Sequence, residues 1–354
     1  MERRDWDAIV IGLGAIGSAA AYWLSTRLDD RVLGLEQFEL GHPNGASQDH
    51  SRIIRYSYHR PDYVRLARRA YASWAEVEAE SGERVVTVTG GLDLWPAGAF
   101  YPIEDYTSSL TAEGIPFELL KADEIRRRWP QWQVDDATTG LFQADGGLAD
   151  PIRGNRAHRD LAVRRGASLR ERAPVTAIRE AGGEHEVTIA DGTTYWTPRI
   201  VIAADAWTND LLANFDRRLP LTITKEQVTY FACPDPSAFD PDRFPIWIWQ
   251  DEPCFYGFPT YGEAGPKVAQ DVGGEVVSPQ TRTCLYTLTP DRDFVVDRLP
   301  DTPGVAVVLG AAHGFKYASV LGRILAELVL DGSTPSAGEI DAFRVDRAAL
   351  RAPV

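Results

Sequence analysis

The run Ala8-Ile9-Val10-Ile11-Gly12-Leu13-Gly14-Ala15-Ile16-Gly17-Ser18-Ala19-Ala20-Ala21, followed by Val32-Leu33-Gly34-Leu35-Glu36, decides the fold. An apolar strand meets a glycine turn, a helix of small residues follows, and a second apolar strand ends on an acid. That order is the dinucleotide-binding βαβ unit. Gly12 makes the tight turn, Gly14 lets a pyrophosphate approach the backbone, and Gly17 lets the helix sit close on the strands. The helix N-terminus then offers free N–H groups and a positive dipole end to phosphates. Glu36 lies 19 residues after Gly17, where its carboxylate accepts hydrogen bonds from ribose hydroxyls. The bland alternative is a tight turn with no ligand, and the motif does not by itself separate NAD from FAD.

The chain has 354 residues, enough for one large domain or two interleaved ones. With 44% hydrophobic and 25% charged residues its composition is that of a globular protein, and it contains no apolar run of the roughly 18 residues that spanning a membrane needs. Met1-Glu2-Arg3-Arg4-Asp5 lacks a signal-peptide pattern, so a cytoplasmic protein is expected. A net charge of −14 argues against nucleic acid as partner. Cys233, Cys254 and Cys284 form neither a disulfide framework nor a zinc spacing, so no metal is expected. Of 37 basic residues only Lys121, Lys225, Lys267 and Lys316 are lysine; each is chance or marks a place where a compact ammonium is wanted.

Downstream, the polar loop 41–50 runs into Ser51-Arg52-Ile53-Ile54-Arg55, at the strand ends where doubly wound sheets bind ligands. Leu66, Ala70, Trp74 and Val77 predict a helix over 62–80, and Gly91-Leu92-Asp93-Leu94-Trp95 alternates like a strand. Helices are expected over 104–113, 123–129 and 152–165, with strands within 140–150, at 187–189 and at 199–204. Strand-like runs at 226–232, 246–249, 255–258 and 267–272, broken by Pro and Gly, predict an antiparallel sheet. Strands at 284–287 and 305–309 precede a helix over 318–330 that stops at Gly332. The expected architecture is α/β: a nucleotide domain from 1–90, 141–215 and 280–354, interleaved with an α+β substrate domain from 91–140 and 216–279.

Five segments in order carry a resemblance that spans nearly the whole chain. The glycine turn, Ser51-Arg52-Ile53-Ile54-Arg55, Tyr256-Gly257-Phe258-Pro259, Cys284-Leu285-Tyr286-Thr287 and His313-Gly314-Phe315-Lys316 resemble the monomeric sarcosine oxidase and N-methyltryptophan oxidase family of FAD-dependent amine oxidases. The resemblance implies a glutathione-reductase-like Rossmann FAD domain and a substrate domain whose sheet roofs the flavin. It places Cys284 at the family's covalent flavin attachment; the plain reading of a lone Cys in an apolar strand is a small core residue. Arg55 and Lys316 match the pair that holds a substrate carboxylate, a fork and a point charge; otherwise they are ordinary salt-bridge partners. Arg52 matches an arginine beside the flavin, and Lys267 the lysine that activates oxygen, a fixed cation beside forming superoxide.

Tyr256, Tyr286 and Phe258 match cavity aromatics, and Trp247 falls near them. Of the cofactor contacts, the resemblance assigns Gly12, Gly14, Ala15, Ile16 and Gly17 to the turn and Glu36 with Gln37 to the adenosine end. Ser47, Ser51 and Arg52 come from the following loop, and Val175, Ala204 and Trp207 from the middle of the chain. Gly310, His313, Gly314, Phe315 and Lys316 complete the set.

The chain departs from the family at several places. Asp271 stands where the family has histidine; it either pairs with Lys267 or meets a substrate ammonium. Asp205 replaces a usual glycine, so its side chain either crowds the phosphates or turns outward. Only Glu275 to Thr283 separate Gly274 from Cys284, where the family carries a few dozen more residues. Trp247 and Trp249 replace smaller residues. The implied activity is FAD-dependent oxidation of a secondary amine bearing a carboxylate (sarcosine, an N-methyl or a cyclic amino acid) to an imine, with O₂ reduced to H₂O₂ by a monomer. Alternatives are a fructosyl or D-amino acid substrate, an NAD-dependent dehydrogenase, or a flavin-binding protein with impaired turnover.

Overall fold

A computed structural model describes residues 5–277 and 284–351. Its central sheet has six strands in the order Val295–Leu299, Thr302–Leu309, Ile200–Ile202, Ala8–Ile11, Val32–Leu35 and Ser168–Arg170. All neighbours are parallel except the first two, which form an edge hairpin. Period-two alternation splits the strands between two cores. Ala8, Val10, Val201, Ala306 and Val308 face the helices, whereas Ile9, Ile11, Ile200, Ile202, Val305 and Val307 face the opposite layer. That layer is the antiparallel sheet Val175–Ala181, Glu184–Ile189 and Thr194–Thr197.

On the helical face, α1 (Ala15–Leu28) is the buried centre. α3 (Pro151–Arg164) and α4 (Ala318–Asp331) pack on it, and α2 (Pro61–Ser81) packs across those two. The alanine-rich stretch of α1 is what permits this. Ala19, Ala20 and Ala21 are fully buried, and a Cβ on Gly322 of α4 would come within 2.5 Å of Ala19. α4 ends on Gly332 at φ +74°, the left-handed cap expected of glycine.

A second sheet of seven strands runs in the order Val228–Tyr230, Lys267–Gln270, Phe255–Phe258, Ile246–Trp249, Gly91–Trp95, Thr139–Gln143 and Glu118–Lys121. The four runs expected to form an antiparallel sheet, Val228–Tyr230, Lys267–Gln270, Phe255–Phe258 and Ile246–Trp249, do pair antiparallel, and the sheet's one parallel pair is Ile246–Trp249 beside Gly91–Trp95. The parallel pair arises because chain segments about 150 residues apart are brought side by side, which a hairpin cannot do. Two small sheets flank it. One joins Arg52–Ile54 to Gly147–Ala149 and Val86–Val88, and the other joins Thr222–Lys225 to Glu275–Val276 and Leu285–Leu288. Of the short segment between Glu275 and Thr283, residues 278–283 lie outside those described. Among the described residues no helix is long and apolar enough to cross a membrane.

The contact that fixes α1 on the sheet is at its first turn, where a Cβ on Gly17 would stand 1.8 Å from the carbonyl oxygen of Gly12. Gly17→Ala is expected to lower stability by about 1–3 kcal/mol or more in urea unfolding, because helix and strand must separate. An unchanged midpoint would contradict this close packing.

Candidate active site

Two adjoining cavities open where the helical layer and the second sheet meet the carboxyl ends of the central strands, of about 510 and 150 Å³. Gly14, Ala46, Ser47, Ala203 and Asp205 line both and form their junction. The N-terminus of α1 opens onto that junction. Gly14 caps it without a side chain, and Ala15 N–H donates to Ser47 Oγ at 2.9 Å. In the smaller cavity Glu36, 5% exposed, accepts the N–H of Leu13 at 2.8 Å and of Phe38 at 3.0 Å. Burial works against its ionisation, but His42 and these two amides outweigh it and hold its carboxyl below the usual range. A carboxylate has about four acceptor positions, so two amides leave it able to accept ribose hydroxyls.

These residues fit an extended dinucleotide. An uncapped helix of 14 residues presents its positive end to a junction where the glycines leave no side chains in the way, and an ionised acid stands beyond it. Gln37, Val175, Ala204 and Trp207 line the smaller cavity together with Glu36. Ile16, Arg52, Gly310, His313, Gly314, Phe315 and Lys316 line the larger one. Asp205 adopts φ +46°, the left-handed region that glycine occupies without strain, and its carboxyl is lifted by burial to about 6. It does not turn outward: it lines both cavities.

The larger cavity gathers Arg55, Lys316, Tyr256, Tyr286, Phe258 and Asp271. Arg55 is not free. Its Nη1 lies 2.7 Å from both oxygens of Asp93, which also accepts from the Ser57 hydroxyl. Asp93 is 2% exposed, and burial raises its carboxyl even with the guanidinium beside it. Arg55 Nε is buried with no hydrogen-bond partner among the described residues. Lys316 makes no ion pair within 4 Å among them; its Nζ stands 5.7 Å from the centroid of the Tyr58 ring, which also carries the Arg55 guanidinium at 5.1 Å. Tyr58 is thus a shelf under both cations. Asp271 is lifted by burial, against the pull of Lys316, Arg292 and Arg55. The Tyr256 and Tyr286 hydroxyls meet at 3.3 Å.

Lys267 is 1% exposed and does not pair with Asp271. Its ammonium donates to Asp49 Oδ2 at 2.7 Å and to the Ser51 carbonyl at 2.9 Å, and lies 4.2 Å from the centroid of Phe258. Arg52 donates to the carbonyls of Ser51, Ala46 and Gln48, which pin its guanidinium at the loop.

The proposed place of Trp247 is corrected. In the strand Ile246–Trp249, Ile248 lines the cavity, whereas Trp247 turns to the other face, edge-on to Trp132 at 5.1 Å. Alternation gives one face or the other to each residue, and a one-residue error in that choice exchanges them. Ser51 contributes its backbone carbonyl, and its buried hydroxyl has no partner among the described residues. Cys284 lines neither cavity; it bridges to Gly45, and burial raises its thiol against the charges of Arg52 and Lys267. His313 is held neutral, down to about 3, by burial and by Lys316. Sequence reasoning missed Asp49 and Asp93. An acid inside the otherwise apolar strand Gly91–Trp95 was the available signal for a buried cation nearby; nothing in the loop marked Asp49. Cys254 also lines the larger cavity.

A profile for FAD dependent oxidoreductase matches residues 7–276. The chain is 36% identical to a monomeric sarcosine oxidase of Streptomyces avermitilis, over 93% of this chain and 94% of that one. It is 28% identical to an N-methyl-L-tryptophan oxidase of Yersinia pestis, over 97% and 99%. Among solved structures, an open form of NikD, an unusual amino acid oxidase essential for nikkomycin biosynthesis, superposes with a TM-score of 0.83 at 25% identity, covering 99% of this chain and 100% of that one.

Removing Asp93 would strand the Arg55 charge in the protein interior. Asp93→Ala is expected to cost about 3–5 kcal/mol in chemical denaturation, and a loss under about 1 kcal/mol, the size of an exposed pair, would contradict burial of this one.

Proposed function

The chain belongs to the FAD-dependent oxidoreductase family, together with monomeric sarcosine oxidases and N-methyltryptophan oxidases, and on that premise we propose that it oxidises a secondary amine bearing a carboxylate. The substrate class is sarcosine, another N-methyl amino acid or a cyclic amino acid. The observation that carries the reading is one cavity in which Lys316, Arg55, Arg52 and the Tyr256–Tyr286 pair surround a common space beside the α1 N-terminus.

FAD, when bound, supplies a two-electron acceptor for the amine C–H and passes the electrons to O₂. The amine gives up two electrons and two protons to become an imine, and O₂ takes both to become H₂O₂. Lys316 is the principal anchor for the carboxylate, because Asp93 already uses part of the Arg55 fork. Arg55 assists with the part of its fork that Asp93 leaves unused, and the Tyr58 ring lies beside both cations. Tyr256, Tyr286 and Phe258 wall the apolar side of the amine. Asp271 lines the same space and is placed to meet the substrate nitrogen. Lys267 supplies the fixed positive charge for the oxygen step in a site it shares with Phe258 and Arg52. We further propose that Cys284 carries the cofactor covalently; its support is the family resemblance and the nearness of two cations that favour a thiolate.

The test is anaerobic. An N-methyl or cyclic amino acid is expected to bleach the visible absorbance of the purified holoprotein, and air to restore it with H₂O₂. Bleaching by fructosyl or D-amino acids instead would replace the substrate class, and no bleaching by any amine would remove the enzyme reading. Lys316→Met is expected to raise KM by about tenfold to a hundredfold, the worth of a charged hydrogen bond, with a smaller change in kcat; equal loss in both would contradict an anchoring role. After acid precipitation the flavin is expected in the pellet for the unaltered chain and in the supernatant for Cys284→Ala. Flavin free in both would end the covalent assignment.

A further inference from the structure

Lys267 is a charge that burial should discharge. Its ammonium sits in a dry pocket, and both burial and the neighbouring Arg52 guanidinium favour the neutral amine. Each of its contacts nevertheless suits a cation: the Asp49 carboxylate, the Ser51 carbonyl and the face of Phe258. Of these only Asp49 carries a compensating charge, and among the described residues it is the one acid within 4 Å of Lys267.

Asp49 is itself held firmly. It occupies φ +80°, a backbone conformation that side-chain-bearing residues rarely adopt. Its other oxygen, Oδ1, accepts the Tyr230 hydroxyl at 2.5 Å, from the strand that pairs with that of Lys267, and Arg52 Nη1 approaches Oδ2, the oxygen shared with Lys267, at 3.4 Å. Two strands and a strained loop therefore converge to put one carboxylate on one ammonium.

We propose that Asp49 is the positioning residue that keeps Lys267 an ammonium beside the cavity. The proposal rests on the reading above, in which that ammonium serves the oxygen step. The groups facing Lys267 are Asp49, Arg52, the Cys284 thiol, bridged to Gly45 of the same loop, and the Phe258 ring. Arg52 and burial oppose the charge, and Asp49 offsets them. The balance leaves the Lys267 ammonium pulled down to about 8 and the Asp49 carboxyl, despite its own burial, held at about 2. With Asp49 gone, nothing of full negative charge remains, so the ammonium is lost at lower pH. A group whose charge is needed for reoxidation then gives a rate that falls earlier as pH rises.

The chain's four lysines make this directly measurable. Holoprotein labelled with ¹³C at lysine Cε gives few signals, and Lys267→Met identifies the relevant one. In Asp49→Asn and in Asp49→Gly, the latter suited to φ +80°, the Lys267 signal is expected to titrate about 1–3 pH units below its position in the unaltered protein. In parallel, the high-pH limb of reoxidation by O₂ in stopped flow is expected to move down by the same interval. At pH about 8 that is about fivefold or more in rate, while anaerobic reduction by amine is unchanged. A Lys267 signal that titrates at the same pH in both variants overturns the proposal. A signal that moves while the reoxidation limb stays upholds the Asp49–Lys267 coupling and overturns the oxygen role of Lys267.

Discussion

The structure depends on how closely α1 approaches the central sheet. Gly17 rests on the carbonyl of Gly12, and the alanines that follow admit α4 from the other side, where Gly322 meets Ala19. A helix held this tightly cannot tilt, so its uncapped N-terminus points to one place, the junction of the two cavities. The loop 41–51, the strand carrying Tyr286 and the segment 310–316 are all arranged around that point. Side-chain volume at three or four positions thus sets where a phosphate can be received, and the rest of the site is measured from it.

Around the larger cavity, positive charge is distributed unevenly. Arg55 is matched by Asp93 and Lys267 by Asp49, both pairs largely withdrawn from water. Such pairs add little net stability, because desolvation of both partners offsets their attraction, but they hold each cation in one position. Lys316 differs: it rests over the Tyr58 ring without an acid within 4 Å among the described residues. A substrate carboxylate entering the cavity therefore finds one cation whose charge is uncommitted and one, Arg55, whose fork is partly taken up by Asp93 through Nη1. Asp271 stands in the same space as the complementary acid.

Much of this was legible in the sequence. The βαβ unit, the long helix over 62–80, the helix ending at Gly332 and the strands of the second sheet follow from apolar period and glycine placement, and all recur within a few residues. Arg52, Arg55, Tyr256, Phe258, Tyr286 and Lys316 do gather in one cavity. What was not legible depends on pairing across long distances. The parallel register of Ile246–Trp249 on Gly91–Trp95, which sends Trp247 away from the cavity, is a tertiary choice between two faces. The partner of Lys267 lies 218 residues earlier in a loop with no periodic pattern, so a nearby acid, Asp271, seemed the candidate and Asp49 did not.

The central claim is that one dinucleotide spans both cavities with its reactive end under Arg52 and a carboxylate beside it on Lys316. A crystal structure of the protein with FAD and a carboxylate-bearing amine analogue tests it most directly. The expected result has adenosine at Glu36, diphosphate at the Gly14–Ser47 junction, and the analogue's carboxylate within hydrogen-bond distance of Lys316 Nζ. A carboxylate held instead by Arg60 or Arg292 at the cavity's other lining, or a cofactor that leaves the junction empty, would contradict the account.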